Sequence, residues 1–210
     1  MWRSDLTDRL LKQYNDCDLV DEIIIIDNDT SARNVDLTKY DKVKHIEEPE
    51  NTFVNPAWNK GIGLCKNELI IVSNDDIVFD VKKYLDIIES FDEEWDLMGL
   101  YGASFKGVRN RVFPRYHDKR PFHFVDGKIE RGHSVGLGWG CVFLCKKSKW
   151  KPIPEKYKVY AGDTWMMEQY ENIYQIHVDI EGSWGTTSAA PDMIHIGRKD
   201  SRLFRNERKG

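Results

Sequence analysis

Three polar residues with the chemistry of a metal site lie just after an aliphatic run. The run is residues 69–72, and the polar residues are Asn74, Asp75 and Asp76. Adjacent carboxylates repel each other unless a cation or hydrogen-bond donors compensate their charge. Carboxylate oxygens are also the ligands that divalent cations such as Mg²⁺ prefer. We therefore expect a metal site at Asp75 and Asp76. The alternative is an Asx-type turn that leads into the next helix.

A second polar cluster ends another aliphatic run. Residues 23–26 are four isoleucines, and Asp27, Asn28 and Asp29 follow them. Short β-branched runs without polar alternation predict strands that are buried on both faces of a mostly parallel sheet. Open α/β sheets bind their ligands at the carboxyl ends of such strands. We therefore expect the two clusters to share one edge, although Asp27 as the cap of a turn remains the alternative.

The elements that position these clusters alternate between helices and strands, as in an α/β protein. An apolar stripe behind Ser4 predicts a helix over residues 4–14. Asn55 and Pro56 would begin a second helix, as its cap and its first residue. Further helices are predicted over residues 81–90 and from residue 161. Further strands are predicted over residues 42–47, 97–101, 141–145, 174–180 and 193–196.

Composition and charge exclude several classes of protein. The chain has 210 residues, 40% hydrophobic and 12% aromatic, which is enough for a globular core in one domain. A net charge of -4 argues against a nucleic-acid-binding protein. Cys17, Cys65, Cys141 and Cys145 form no CxxC pair, so we expect no zinc site but reduced thiols in a cytoplasmic protein. No signal peptide opens the sequence, and no apolar run approaches the roughly 20 residues of a membrane span.

Apolar periodicity disappears between residues 104 and 138. Basic and aromatic side chains interleave there, namely Arg109, Arg111, Arg115, His117, Lys119 and Arg120 with Phe113, Tyr116 and Phe122. Asp126 and Gly127 predict a hairpin turn between residues 122–125 and 128–131. A long irregular segment in a compact domain is typically a binding loop or lid; the alternative is a solvated basic loop. A mobile basic tail is predicted over residues 198–210.

The order of these signals resembles the GT-A nucleotide-sugar glycosyltransferases of the family-2-like branch, including small virus-encoded members. The matching segments are residues 20–28, 55–61, 67–76, 138–140 and 162–163. The resemblance implies a single Rossmann-like domain over residues 1–197. Its central, mostly parallel mixed sheet would have about six to eight strands flanked by helices. The implied reaction moves a sugar from a nucleoside-diphosphate donor, a UDP-sugar first of all, to a hydroxyl of a glycan or glycoprotein acceptor.

The resemblance assigns a set of residues to donor binding. Asp27 would accept a hydrogen bond from the uracil N–H, with Asn28 beside it. Asn59 and Lys60 would lie near the base, ribose or phosphate. Asn74 would belong to the same site.

Metal binding and catalysis are assigned in the same way. Asp76 would be the direct ligand of Mn²⁺ or Mg²⁺, and His195 a second ligand unless it is a partly buried strand histidine. Asp75 would act through water or bind the ribose. Asp163 would be the general base that accepts the proton of the acceptor hydroxyl; its alternative is a helix cap. Trp139 would stack on a sugar face.

The sequence departs from this family in two places, and two other functions compete. The strand and Pro-Thr turn that usually precede the first helix are missing, displaced or cut away, and Asn74-Asp75-Asp76 replaces Asp-x-Asp. A haloacid-dehalogenase-type phosphatase would use Asp27 as nucleophile and residues 162–163 as a magnesium site, but it gives residues 59–61 and 75–76 no function. A non-enzymatic sugar- or nucleotide-binding module is the third possibility.

Overall fold

Strands and helices alternate along the described part of the chain, residues 6–105, 124–132, 139–182 and 191–208 of a computed structural model. The helices are α1 (Leu6–Asn15), α2 (Val54–Leu64), α3 (Val81–Glu89), α4 (Gly162–Gln169) and α5 (Pro191–Glu207). The strands are β1 (Ile23–Asp27), β2 (Val43–Glu47), β3 (Leu69–Ser73), β4 (Ile77–Phe79), β5 (Leu97–Leu100), β6 (Ile129–Arg131), β7 (Val142–Lys146), β8 (Ile173–Ile176) and β9 (Ile180–Gly182). The predicted α/β class is confirmed.

The described strands form a central mixed sheet and two strand pairs. The central sheet has five strands in the order β3-β7-β5-β8-β6. In it, β5 and β8 are parallel, whereas β7 is antiparallel to both β3 and β5, and β6 is antiparallel to β8. β1 and β2 form a parallel pair, and β4 and β9 an antiparallel pair. The central sheet therefore has fewer strands and more antiparallel pairing than the sequence predicts.

The middle of this sheet is buried on both faces, but the two aliphatic runs for which the sequence predicts such burial are only partly buried. Ile24, Ile25 and Ile26 of β1 are half-buried, and Leu69 of β3 is exposed. Every residue of β5 and β8 is buried. α3 turns a single apolar stripe of Val81, Tyr84, Leu85 and Ile88 towards the core. The Asp80 side chain begins this helix by accepting the N–H of Lys83 at 2.9 Å, which satisfies a backbone donor of the first turn.

Two predictions about the end of the chain are wrong. Residues 193–196 belong to α5 and not to a strand. Met193, Gly197, Asp200 and Phe204 are buried, which is the spacing of one helix face. A four-residue apolar window is too short to distinguish that period from the alternation of a strand. The tail predicted from residue 198 also continues α5 as far as Glu207, so the boundary lies inside a helix.

Smaller differences concern turns and helix starts. The short strand β4 is not predicted, and α2 begins at Val54, which places Asn55 inside its first turn instead of at the cap. The Lys128 N–H donates to the carbonyl of Val125 at 3.0 Å across the turn predicted at Asp126 and Gly127. In the second predicted arm of this hairpin, residues 129–131 form a strand. Residues 1–5, 106–123 and 133–138, which include most of the predicted lid, lie outside the described residues. In the described ranges, no helix has the length and apolar character needed to cross a membrane.

Candidate active site

The polar cluster after β3 occupies the short connection between β3 and β4. The Asn74 N–H donates to the carbonyl of Cys141 at 2.9 Å, and the Thr7 hydroxyl of α1 donates to the carbonyl of Asp75 at 2.8 Å. Because β7 is antiparallel to β3, the carboxyl end of β3 lies beside the amino end of β7. The connection that carries Asp75 and Asp76 is therefore fixed from two sides.

Asp163 lies in the first turn of α4, and Asn55 of α2 holds the start of that helix. Ala161 precedes the helix with a left-handed φ of 67°. A Cβ added at Gly162 would lie 2.4 Å from Asn55 Oδ1, so the two segments approach as closely as only glycine allows. The Asn55 amide also donates to the carbonyl of Tyr157 at 3.1 Å. These contacts fix the backbone that carries Asp163.

The two acidic segments approach each other at the thiol of Cys141. The pKa of this thiol is raised to about 12, first by burial and then by the negative charges of Asp76 and Asp163, while a hydrogen bond with the Asn74 side chain lowers it. Both carboxylates therefore lie within electrostatic range of one sulfur atom. The structure thus brings Asp76, Asp163 and Asn74 into one region, although they come from different parts of the sequence.

The surroundings of Asp163 suit a proton acceptor. A Cβ added at Gly140 would lie 3.4 Å from Asp163 Oδ2 and 3.5 Å from Trp58 Cη2, so both side chains pack against Gly140. Burial raises the pKa of Asp163, and the Thr164 N–H opposes this shift by donating to Oδ1 at 3.0 Å. The residue before α4 is Ala161, so Asp163 does not occupy the capping position proposed as its alternative.

Asp27 and Asn28 lie at the carboxyl end of β1 and have partners within the protein. The Asp27 side chain has 0% of its surface exposed and lies 2.9 Å from His45 Nε2. Asn28 Oδ1 accepts the Thr52 hydroxyl at 2.7 Å, and its amide donates to the Phe53 carbonyl at 3.4 Å. A hydrogen bond from the uracil N–H to Asp27 therefore requires this carboxylate to become exposed. No pattern in the sequence indicates the partner His45.

Asn59 and Lys60 of α2 also make contacts within the protein. The Asn59 amide donates to the Ile153 carbonyl at 2.8 Å, and Asn59 Oδ1 accepts the Ile153 N–H at 2.9 Å. Lys60 forms an ion pair with Glu48. The paired amide explains a poor helix former at position 59, since it satisfies both backbone groups of Ile153. The donor contacts of Asn59 and Lys60 stay predictions.

Trp139 and His195 lie in places that the sequence does not predict. Trp139 is 0% exposed and stacks on Phe143 with ring centroids 5.8 Å apart, so the prediction that it stacks on a sugar is wrong. Its ring fills the core because Gly99 of β5 leaves room for it. His195 lies on the exposed side of α5 and not in a strand.

A cavity of about 390 Å³ lies between β1, β3 and α2. Its walls at the carboxyl ends of the strands include Asn28, Asn74 and Asp75. Cavities of this size are typical of small-molecule sites. These three predicted donor-site residues therefore line one cavity.

The described residues contain no group of three or more His, Cys, Asp or Glu side chains that is already arranged to hold a metal ion. Mg²⁺ sites of phosphate-transferring enzymes do not need such a group, because one or two carboxylates, substrate phosphates and water complete the coordination. Asp75 and Asp76 are two such carboxylates, and the metal site expected there stays a prediction.

Comparison with known proteins identifies the family. The sequence model of glycosyl transferase family 2 matches residues 5–151, which contain β1 to β7 and the acidic connection after β3. The chain belongs to glycosyl transferase family 2. This confirms the resemblance seen in the sequence and argues against the phosphatase. In this glycosyl transferase, Asp163 and His195 lie outside the matched residues.

Two solved structures are similar to this glycosyl transferase. HddC from Yersinia pseudotuberculosis is 16% identical over 89% of this chain and 81% of that chain, with a TM-score of 0.47. HddC from Yersinia pseudotuberculosis complexed with GMP-PN is 15% identical over 94% of this chain and 85% of that chain, with a TM-score of 0.45. No curated protein sequence matches the chain.

Three residues near the site of this glycosyl transferase receive no role from the sequence, namely Trp58, Gly140 and Cys141, although Trp58 and Gly140 lie in segments that resemble the family. Trp58 packs edge to face against Phe143, with ring centroids 5.1 Å apart. Gly140 and Cys141 lie directly before β7, whose amino end reaches the site only because it is antiparallel to β3. The sequence shows that Gly140 and Cys141 precede an apolar run. It does not show the direction of the strand that this run forms, and that direction brings the two residues to the site.

Proposed function

We propose that this enzyme moves a sugar from a UDP-sugar to a hydroxyl group of a glycan or glycoprotein, with Mn²⁺ or Mg²⁺ bound at Asp76. The observation that carries the proposal is that both acidic segments contact the residues just before β7: the Asn74 N–H donates to the carbonyl of Cys141 at 2.9 Å, and Asp163 packs against Gly140. Sugar transfer needs positive charge at the leaving diphosphate and a base at the acceptor hydroxyl. Asp76 as a metal-binding carboxylate and Asp163 as a second carboxylate with a raised pKa would meet these two requirements.

Asp76 is the proposed direct ligand of the cation. When bound, the cation would neutralise the charge that builds on the leaving diphosphate. Asp75 would assist through water or hold the ribose, and its backbone is already fixed by the Thr7 hydroxyl. His195 as second ligand rests on the resemblance alone.

Asp163 is the proposed general base. Burial raises its pKa, which increases its affinity for the proton of the acceptor hydroxyl. Gly140 lies beside its carboxyl group. A base at Asp163 would favour inversion at the anomeric carbon if the acceptor hydroxyl attacks in line with the leaving diphosphate.

Asn28 and Asn74 are the proposed walls of the nucleoside site, because both line the cavity between β1 and β3. Asp27 belongs to the same site as an acceptor for the uracil N–H after it releases His45. Asn59 and Lys60 of α2, which pair with Ile153 and Glu48 in this structure, would contact the base, ribose or phosphate of the donor.

Thermal unfolding with a panel of nucleotides tests the proposal. UDP, GDP, CDP and ADP are each added with and without Mn²⁺, and the unfolding temperature is recorded. A ligand at 100 times its Kd stabilises by about 2.7 kcal/mol, which shifts Tm by about 5–10 °C for a chain of this size. We expect this shift for UDP with Mn²⁺. A Tm shift with a nucleotide other than UDP, or no Tm shift with any of the four, would contradict UDP as the nucleotide of the donor.

A transfer assay distinguishes the enzyme from the competing functions. The UDP-sugar that binds best is incubated with methyl glycosides as hydroxyl acceptors, and released UDP is measured. Binding without UDP release would support the non-enzymatic module. Hydrolysis of an aryl phosphate with Mg²⁺, lost in Asp27→Asn, would support the phosphatase.

A further inference from the structure

The outward side of α5 carries basic residues and one asparagine. Four residues of this helix are buried against the body, namely Met193, Gly197, Asp200 and Phe204. Because an α-helix has about 3.6 residues per turn, residues 195, 198, 199, 202 and 205 lie on the opposite side. Between residues 195 and 206, every exposed residue is basic except Asn206. The basic face of α5 is defined here by four residues beside His195, namely Arg198, Lys199, Arg202 and Arg205.

Contacts with the body fix the direction in which the basic face points. The buried carboxylate of Asp200 accepts the backbone N–H groups of residues 159 and 160 at 2.7 Å and 2.9 Å. One turn later, Phe204 packs edge to face against Tyr157, with ring centroids 5.7 Å apart. Rotation of α5 about its axis would break these contacts, so the basic face stays directed to solvent.

Charged residues at the end of α5 are paired, whereas those of the basic face are not. Glu207 forms an ion pair with Lys156 at 2.6 Å, and Arg208 forms one with Glu168 of α4. Nε of Arg205 donates to a backbone carbonyl one turn earlier at 3.1 Å, which leaves its charge uncompensated. In the part of the chain that the structure describes, no carboxylate forms an ion pair with a residue of the basic face.

The spacing within the basic face makes it repulsive by itself and attractive to an anionic surface. Residues 198 and 202 are four apart, and residues 199, 202 and 205 are three apart, so neighbouring cations on this helix repel each other. Residues 198–205 extend about 10 Å along the helix, at about 1.5 Å per residue. One flat anionic surface can therefore contact all four side chains and relieve their repulsion.

The charge of the rest of the protein restricts the contact to this face. The chain has a net charge of -4, so its other sides are on balance repelled by an anionic surface. A helix is about 10 Å in diameter, and the Debye length is about 8 Å at physiological ionic strength. The body behind α5 is therefore largely screened when the basic face touches that surface.

A bilayer fits the basic face better than a nucleic acid does. Ile196 and Leu203 at one flank of α5 are half-buried, and Leu203 packs against the core. A helix that is embedded to its flanks cannot enter the major groove of a duplex. The exposed residues between 195 and 206 include no aromatic side chain that could stack on unpaired bases. A flat surface is therefore the favoured partner.

We propose that the basic face of α5 docks this protein on the anionic headgroups of a phospholipid bilayer. The basis is charge complementarity, since clusters of about four to eight Lys and Arg on one side of a helix bind anionic lipids. The contact is peripheral, because the side of α5 that carries Met193 and Phe204 is already buried in the protein. This inference does not depend on the proposed function.

Sedimentation with lipid vesicles tests the proposal. The full chain is mixed with vesicles of phosphatidylcholine alone or with about 30% phosphatidylserine, and the bound fraction is measured against lipid concentration. We expect binding to the phosphatidylserine vesicles to be about tenfold tighter or more, and to weaken as salt is raised. Equal binding to both vesicles, or binding to neither, would overturn the proposal.

A chain with Arg198→Gln, Lys199→Gln and Arg202→Gln removes three charges of the basic face. Each cation near an anionic bilayer strengthens binding by about fivefold, so this chain should lose about tenfold or more of its affinity for phosphatidylserine vesicles. The three side chains are exposed and have no ion pair among the described residues, so Tm should not fall. Unchanged affinity would overturn the proposal.

The matched control carries Lys39→Gln, Lys44→Gln and Lys66→Gln, which makes the same change in net charge. These lysines are exposed, lie outside α5 and form no ion pair within the described ranges. The control should keep its affinity for phosphatidylserine vesicles within about threefold, because these charges do not face the bilayer. An equal loss in the control would show that only net charge matters and would overturn the proposal.

Two further measurements do not depend on the glutamine variants. Arg198→Lys with Arg202→Lys should keep the affinity within about threefold, because docking on headgroups requires charge and not the geometry of a guanidinium group. A loss would indicate a specific ligand instead of a bilayer. Duplex DNA at the same phosphate concentration should not displace the protein from the vesicles. Displacement would assign the basic face to nucleic acid and overturn the proposal.

Discussion

Replacement of Asp163 by asparagine tests the step on which the proposed chemistry depends. A general base typically contributes about 10²–10⁴-fold to the rate, or about 2.7–5.4 kcal/mol of barrier. Asp163→Asn keeps the shape of the side chain, and its amide oxygen can still accept the Thr164 N–H. We therefore expect kcat for UDP release to fall by about 10²–10⁴-fold while UDP binding stays unchanged.

The same substitution should not weaken the fold. Burial raises the pKa of Asp163 above its ordinary 3.8, so the ionised form is less favourable in the folded protein than in the unfolded chain. The stability that protonated Asp163 contributes is present below pH 3.8 and is lost as pH rises through the raised pKa. Relative to Asp163→Asn, the wild type should thus lose unfolding free energy from about pH 4 upwards in urea titrations. Its kcat should fall on the acid side through the same pKa.

Glu168→Gln is the matched control, because it makes the same chemical change on the exposed side of α4. Its ion pair with Arg208 is at the surface and contributes little. If Asp163→Asn transfers sugar within twofold of the wild type, Asp163 is not the base. If Glu168→Gln lowers kcat as much as Asp163→Asn does, the loss reflects a disturbance of α4. That result would also contradict the assignment of Asp163 as the base.

Three further predictions concern the metal, the close packing of the site and α2. Asp76→Asn should weaken Mn²⁺-dependent UDP binding by about tenfold or more but leave metal-free binding unchanged, as calorimetric titration with and without Mn²⁺ would show; equal losses would argue against a ligand. Gly162→Ala should lower the unfolding free energy by about 1–3 kcal/mol, because the added Cβ would lie 2.4 Å from Asn55 Oδ1. Gly63→Ala, with open space around it, should be neutral or stabilising in the same urea titration. Asn59→Ala should cost about 1–3 kcal/mol through two lost backbone hydrogen bonds. A loss of UDP affinity without that cost would instead support the donor contact predicted for Asn59.

Much of the fold follows from local sequence patterns. The aliphatic runs at residues 23–26 and 69–72 become β1 and β3, and the apolar stripe of residues 81–90 becomes α3. Such runs indicate strands because β-branched side chains pack well on the pleated surface of a sheet. The prediction fails where the window is short, as at residues 193–196, since four residues do not distinguish a helix face from a strand.

The candidate site is predictable only in part, because local sequence patterns indicate residue types but not the partners of their side chains. Residue types at strand ends indicate Asp27, Asn28 and residues 74–76, because carboxyl ends of strands are where polar residues accumulate in such sheets. The partners of these side chains do not follow from local pattern. His45 beside Asp27 and Ile153 beside Asn59 are chosen by pairing between distant segments. Trp139 shows the same limit. An aromatic residue between two glycines can stack on a bound sugar or pack in the hydrophobic core, and the sequence does not distinguish the two roles.

The amino-acid sequence by itself determined the class of the protein and the two acidic clusters, since composition and periodicity act within a few residues. The tertiary structure alone decided that Asp76 and Asp163 approach one thiol, because this depends on the antiparallel course of β7 beside β3. It also decided that, within the described ranges, β1 pairs with β2 while β3 pairs with β7 in a separate sheet, which no local pattern encodes. Both results depend on strand order and direction, which are set by the packing of the whole chain.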